Sequence, residues 1–155
     1  MSIDVVDSSG SAIADCDALV SQAVFLLDRL HLDPECDVSI ALVTEDEMTA
    51  LHVEWMDEPG PTDVLSFPMD DLRPGDPAGP RPMGVLGDVI ICPAVAARQA
   101  RDAGHSPSEE MSLLLTHGIL HLLGFDHAEP EDHARMFGLQ GTLLAEWRTA
   151  HEVLP

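Results

Sequence analysis

The spacing of apolar residues divides the chain into alternating strand-like and helix-like segments. IDVV (3–6) has the β-branched content of a strand, and ADCDALVSQAVFLLDRL (14–30) places Leu19, Val20, Ala23, Leu26, Leu27 and Leu30 on one helical face. DVSIALV (37–43) alternates like a strand, after which Thr44 and Glu47 form a capping box that opens a helix to about Trp55. EPGP (58–61) breaks that helix. TDVLSFPM (62–69) predicts a third strand and GVLGDVIIC (84–92) a fourth, and the Pro/Gly-rich DDLRPGDPAGPRP between them reads as a mobile loop rather than a linker. Pro93 and Gly104 bracket a short helix over 93–103, and Ser106, Pro107 and Glu109 supply the cap, first and third positions of the next, 107 to about 123. A last helix follows in EPEDHARMFGLQGTLLAEWRTA, with Met136, Leu139, Leu143, Leu144 and Trp147 facing inward and Gly138 and Gly141 weakening it.

The 107–123 segment is apolar on nearly every side: Met111, Leu113, Leu114, Leu115, Ile119, Leu120, Leu122 and Leu123 leave no polar face. Such a helix belongs at the centre of a domain, covered all round. The expected fold is α+β, a single domain over 1–155, with a small mixed four-stranded sheet packed with about five helices around that central helix. No internal repeat appears.

Composition changes this picture in three ways. No apolar run is long enough to span a bilayer, and MSIDVVDSSG has neither the basic nor the apolar region of a signal peptide, so a cytoplasmic protein is expected. Cys16, Cys36 and Cys92 are an odd, widely spaced set without a CxxC pair, read as small apolar residues rather than a disulfide framework or thiolate metal site. The chain has 28 acidic residues against seven basic ones, all arginine, for a net charge of -21. A surface of that sign repels phosphate polymers, and DNA is not an expected partner. The acid is concentrated in residues 1–77, so the half that carries the candidate chemistry is the less acidic one.

That chemistry lies in THGILHLLGFDH (116–127). Residues four apart share a helical face, so His117 and His121 can present ring nitrogens to one point. Gly124 permits a sharp turn that carries His127 back toward the pair. Three neutral imidazoles leave a bound ion its full charge and a fourth position open, the arrangement of a catalytic rather than a structural zinc. Two histidines buried on an apolar helix without partners would cost roughly 1–3 kcal/mol each, which favours the metal site over chance spacing. His31, His52, His105, His133 and His151 are assigned to packing or surface.

The spacing HGxxHxxGxxH is that of metzincin proteases, HExxHxxGxxH, with Gly118 in place of the glutamate that polarises water and shuttles its proton. Without that carboxylate a peptidase is a weak alternative. Gly118 is expected instead to leave a gap beside the metal, where a phosphodiester could sit free of carboxylate repulsion.

HGILHLLGFDH also resembles the H-G-x-L-H-L-x-G-[FY]-D-H signature of the YbeY family, bacterial metal-dependent endoribonucleases. GPTDVLSFPM (60–69), GDVIICPAVA (87–96) and the closing helix with Met136 are similar to the same family in the same order, so the resemblance covers roughly 38–148. It implies one zinc ion on His117, His121 and His127 and hydrolysis of single-stranded RNA. It further implies processing of the 3′ end of small-subunit rRNA, ribosome quality control, and as partners the small ribosomal subunit, its proteins and an assembly GTPase. Many relatives carry an arginine in a Tyr-Arg-like pair where this chain has Trp55 and Met56. An arginine there would stabilise charge developing on phosphorus. Arg73 and Arg81 are the candidate substitutes, Asp126 a candidate for orienting a ligand histidine or capping the helix end, and Ser66 and Asp88 candidate substrate-facing groups. Two roles therefore stand beside each other: a zinc-dependent endoribonuclease, and a ribosome-associated binding factor with a zinc site and little turnover.

Overall fold

The computed structural model describes residues 2–151. Chain order is β1 (Ser2–Asp7), α1 (Cys16–Arg29), β2 (Asp37–Leu42), α2 (Glu45–Met56), β3 (Val64–Pro68), β4 (Val85–Ile91), α3 (Pro93–Ala103), α4 (Pro107–Leu122) and α5 (Pro130–His151). The helix starts lie where the caps put them. Asp15 accepts from the Ala18 backbone, and Thr44 with Glu47 and Ser106 with Glu109 form reciprocal capping boxes. The expected third strand loses Thr62 and Asp63 because the Asp63 carboxylate accepts from the Val64 backbone N–H at 2.8 Å, a local turn in place of a ladder bond.

The sheet runs β1-β2-β4-β3, with β1, β2 and β4 parallel and β3 antiparallel to β4 at one edge. Between β2 and β4 the register shifts, Asp37 facing Val85 but Val38 facing Gly87, so Leu86 is an extra residue. The bulge puts Leu86 in the same core as Val89 and Ile91, where strict alternation would set Leu86 and Val89 on opposite faces. One sheet face packs Val38, Ile40, Leu42, Val89 and Ile91 against α1, α4 and α5; the other packs Leu65 and Cys92 with Met48 of α2 and Val95 of α3.

α4 is the central helix: β3, β4, α1, α3 and α5 all pack on it, and Leu114, Leu115, Ile119, Leu120 and Leu122 are buried. The buried Gln22 of α1 satisfies both its amide protons on α4, donating to the Ser112 carbonyl and the Thr116 hydroxyl, each at 2.9 Å. α4 is thereby fixed in position and rotation, which matters because it carries the histidine pair.

The Pro/Gly-rich loop departs from its expected mobile state. Gly75 donates to the Leu30 carbonyl at 3.0 Å, Asp33 to the Pro82 carbonyl at 2.9 Å, and Asp70 accepts from the Val85 backbone at 2.7 Å. The loop is strapped to the end of α1. Cys36 and Cys92 are fully buried and Cys16 partly so; all three thiols are free, and burial pushes each above its ordinary range. No helix among the described residues is long and apolar enough to cross a membrane.

Candidate metal centre

α4 ends at Leu122, and Gly124 takes φ +92°, a left-handed conformation that reverses the chain at little steric cost. Gly124 donates to the His121 carbonyl and Phe125 to the Leu120 carbonyl, each at 3.1 Å, closing the helix and folding the loop back. Asp126 then accepts from the His127 backbone N–H at 2.7 Å. The result is three imidazoles facing one another: His117 and His121 ring centroids are 4.6 Å apart, His121 and His127 5.3 Å, His117 and His127 5.7 Å.

Their nitrogens suit a metal. Nε2 of His117 and Nε2 of His121 lie 3.1 Å apart, and one ligand nitrogen from each of the three rings falls within 4.8 Å of the others. Two nitrogens on a tetrahedral zinc, each at about 2.0–2.1 Å, stand roughly 3.3 Å apart, so the α4 pair is close to ligating geometry, and the exposed His127 brings a third nitrogen within 4.8 Å.

The rings are oriented from behind. His117 Nδ1 lies 2.9 Å from Oε1 of the buried Gln140, which accepts its proton and leaves Nε2 a free lone pair for a cation. The His121 ring hydrogen-bonds the Phe125 backbone. Burial first, and then the neighbouring His117 and His127, push His121 below the ordinary imidazole range, while the Phe125 bond and Asp126 act the other way. A neutral His121 is the form that binds a metal.

A family model described as Endoribonuclease YbeY matches residues 5–148. The chain belongs to the YbeY family. An Endoribonuclease YbeY of Thermobifida fusca is 59% identical over 152 residues, covering 98% of this chain and 97% of the relative. That of Paenarthrobacter aurescens is 57% identical over 147 residues, 95% of this chain and 93% of the relative. A Thermotoga maritima protein solved in solution superposes with a TM-score of 0.63 at 26% identity, covering 97% of this chain and 93% of that one.

Within this YbeY fold the other candidates scatter. Gly118 leaves no gap beside the histidines. It faces the sheet, and a Cβ there would lie 2.7 Å from Val89 Cγ1 and 3.3 Å from Ser66 Oγ. The reason is helical: position 118 is turned about 100° from His117, onto the face that packs on β3 and β4. Ser66 spends its hydroxyl on that contact, donating to the Gly118 carbonyl at 3.0 Å. Asp88 lies across the sheet, in a hollow with Leu51, Trp55, Phe67 and Ile90. Asp126 holds the His127 backbone and not a ring nitrogen.

Of the two candidate arginines, only Arg73 reaches the loop. Its guanidinium lies over Gly124, with Cζ 2.6 Å from where a Cβ would stand, and lines a cavity of about 210 Å³ with Phe125, Asp126 and Arg135. Arg81 is tied to Asp28 at 3.0 Å and the Leu32 carbonyl at 3.2 Å. Met56 is exposed at the end of α2. His52 bonds the Gly60 carbonyl and His105 the Glu110 carboxylate, consistent with packing roles; the side chain of His151 lies outside the described residues.

Three site residues escaped the sequence reading. Gln140, Phe137 and His133 sit on one face of α5, and Phe137 lies 5.8 Å from both His117 and His127. The signal was present as the spacing 133, 137, 140, the same helical periodicity that exposed His117 and His121. Taking His133 singly, as a surface residue, hid it.

Proposed function

We propose that this chain is a metal-dependent endoribonuclease that holds one zinc ion through His117, His121 and His127 and hydrolyses single-stranded RNA in the cytoplasm. Its substrate is the 3′ end of small-subunit rRNA, its wider role ribosome quality control, and its partners the small ribosomal subunit, its proteins and an assembly GTPase. One observation carries this function: in a chain of the YbeY family, three imidazole nitrogens converge within 4.8 Å and the third stands on an exposed loop.

A divalent ion bound there supplies Lewis-acid chemistry, drawing charge from a phosphodiester oxygen and lowering the pKa of water. The protein's own groups prepare for it. Gln140 and the Phe125 backbone hold the two α4 rings with their free nitrogens inward. Imidazole ligands bring no charge of their own, so an ion held by the three rings would keep its full positive charge. The peptidase reading needs a glutamate at 118, and there Val89 leaves no space for a side chain.

The test is cleavage of a single-stranded RNA by zinc-loaded protein, by a chelated sample and by His121→Ala, with metal content measured in each. Cleavage in the first alone supports the proposal; equal cleavage in all three marks a contaminating nuclease and defeats it. The nature of the new ends separates routes: a cyclic phosphate means the 2′-hydroxyl attacked, a linear one means water did. A second reading, a ribosome-associated binding factor, is favoured by Met56 in place of an arginine and by the net charge of -21. It predicts zinc uptake without turnover.

A further inference from the structure

Phe137 is 37% exposed, although Met136, Leu143, Leu144 and Trp147 of the same helix are buried. Its ring stacks on the exposed His133 at 4.4 Å and 29°, and His133 in turn stands edge-on to His127 at 6.3 Å. Phe137 also lies 5.8 Å from the His117 and His127 rings. A chain of ring contacts therefore runs from the candidate metal centre onto α5, tilted or edge-on at the histidine trio and face-stacked between Phe137 and His133. Phe137 and His133 both reach solvent there, and the His133 ring has no hydrogen-bond partner among the described residues.

Electrostatics give this surface its meaning. Proteins that bind RNA through its backbone spend lysines and arginines on phosphates. This chain has no lysine, and Arg29, Arg73, Arg81, Arg98 and Arg135 each face a carboxylate of the protein itself. With five of its seven arginines so engaged, contacts that do not depend on surface charge gain weight in the affinity for a polyanion. Stacking of a base on an aromatic face is such a contact, and every base offers a π-face.

We propose that Phe137 and His133 form a nucleobase-stacking subsite, which takes the base of the nucleotide flanking the phosphate held at the histidine trio. This rests on the RNA reading above. The subsite accounts for single-strand preference by a physical route: in a duplex both faces of each base are already stacked, whereas an unpaired base swings onto the Phe137 ring. Phe137 supplies the face, and His133 backs it from α5. Neither residue touches the scissile bond, so both act by positioning.

The experiment uses zinc-loaded full-length protein and a short single-stranded RNA, intact or with one abasic nucleotide beside the mapped cleavage position. Native protein should bind the abasic strand about tenfold more weakly, within the range of base–aromatic stacking. Phe137→Ala should bind the intact strand about tenfold more weakly and lose nothing further to the abasic change, while Phe137→Trp restores binding. KM should move more than kcat, and 2-aminopurine at that position should be quenched by native protein and not by Phe137→Ala. Binding should also depend weakly on salt. Circular dichroism and zinc content equal to native establish that Phe137→Ala is folded and loaded; if it is not, Phe137→Leu, with a similar apolar volume and no ring, replaces it. An abasic penalty that is absent in native protein, or equal in native and variant, overturns the subsite while leaving the nuclease reading intact. Native protein that neither binds nor cuts the RNA defeats both.

Discussion

Replacing Gly118 by alanine probes the seat of the metal-bearing helix. The added Cβ would lie 2.7 Å from Val89 Cγ1, 3.3 Å from Ser66 Oγ and 3.4 Å from Val64 Cγ2. Val89 is fully buried on the interior strand β4, and a β-branched side chain has little rotamer freedom with which to move aside. Overpacking of this kind costs about 1–3 kcal/mol, and alanine in a helix interior returns about 1 kcal/mol relative to glycine. With Val89 unable to yield, the upper half of the range applies and the net loss is about 1–2 kcal/mol. For a domain of this size that is a fall in Tm of roughly 3–6 °C, read by thermal unfolding of the metal-free protein. Val89→Ala removes the clashing carbon, so in that background Gly118→Ala should be neutral or stabilising. The two changes would then couple by about 1 kcal/mol or more in a double-mutant cycle. Gly118→Ala that is as stable as native, with no coupling to Val89, would refute the close helix–sheet contact and reopen a gap beside the histidines.

Two further outcomes follow from the residues behind the rings. Gln140→Leu removes the acceptor for His117 Nδ1–H and should weaken zinc affinity 10- to 100-fold by competition with a chromophoric chelator; unchanged affinity would show that the bond does not set the ring. His121 is held neutral in the metal-free fold, whereas in the unfolded chain it takes a proton near pH 6.5, so as pH falls the unfolded state binds more protons. Its contribution is complete above that value and is lost as pH falls through the lowered folded value. Metal-free native protein should therefore lose more stability than His121→Gln between about pH 7.5 and about pH 5.5, and parallel losses would remove His121 as the cause.

What could be read from the sequence was whatever local chemistry determines. The capping residues Thr44, Glu47, Ser106 and Glu109 marked helix starts because they act within one turn, and the two α4 histidines were visible because helical periodicity alone puts them on one face. The nearly all-round apolar run of α4 correctly implied the central helix of the domain, buried along most of its length. What stayed hidden depends on which neighbour arrives. The direction of Gly118 is set by β3 and β4 docking on that side, and the fate of Arg73 and Arg81 by where one loop crosses two distant ends. Gln140 becomes a partner of His117 only because α5 returns along α4, a contact 23 residues apart in sequence. The Leu86 bulge, a single extra residue, is invisible to a period of two.

The three prospective ligands are not equally anchored. Two project from a helix clamped by five other elements, and the third rides on a short solvent-facing turn tied to the end of α4 by the Gly124 and Phe125 backbone bonds and braced by the Asp126 carboxylate. Such a clasp would open from a single side, and a bound ion would exchange by release of His127 while the inner pair stays in place. Occupancy will then follow the chelators and metal supply of each preparation, and specific activity acquires meaning only per mole of bound ion.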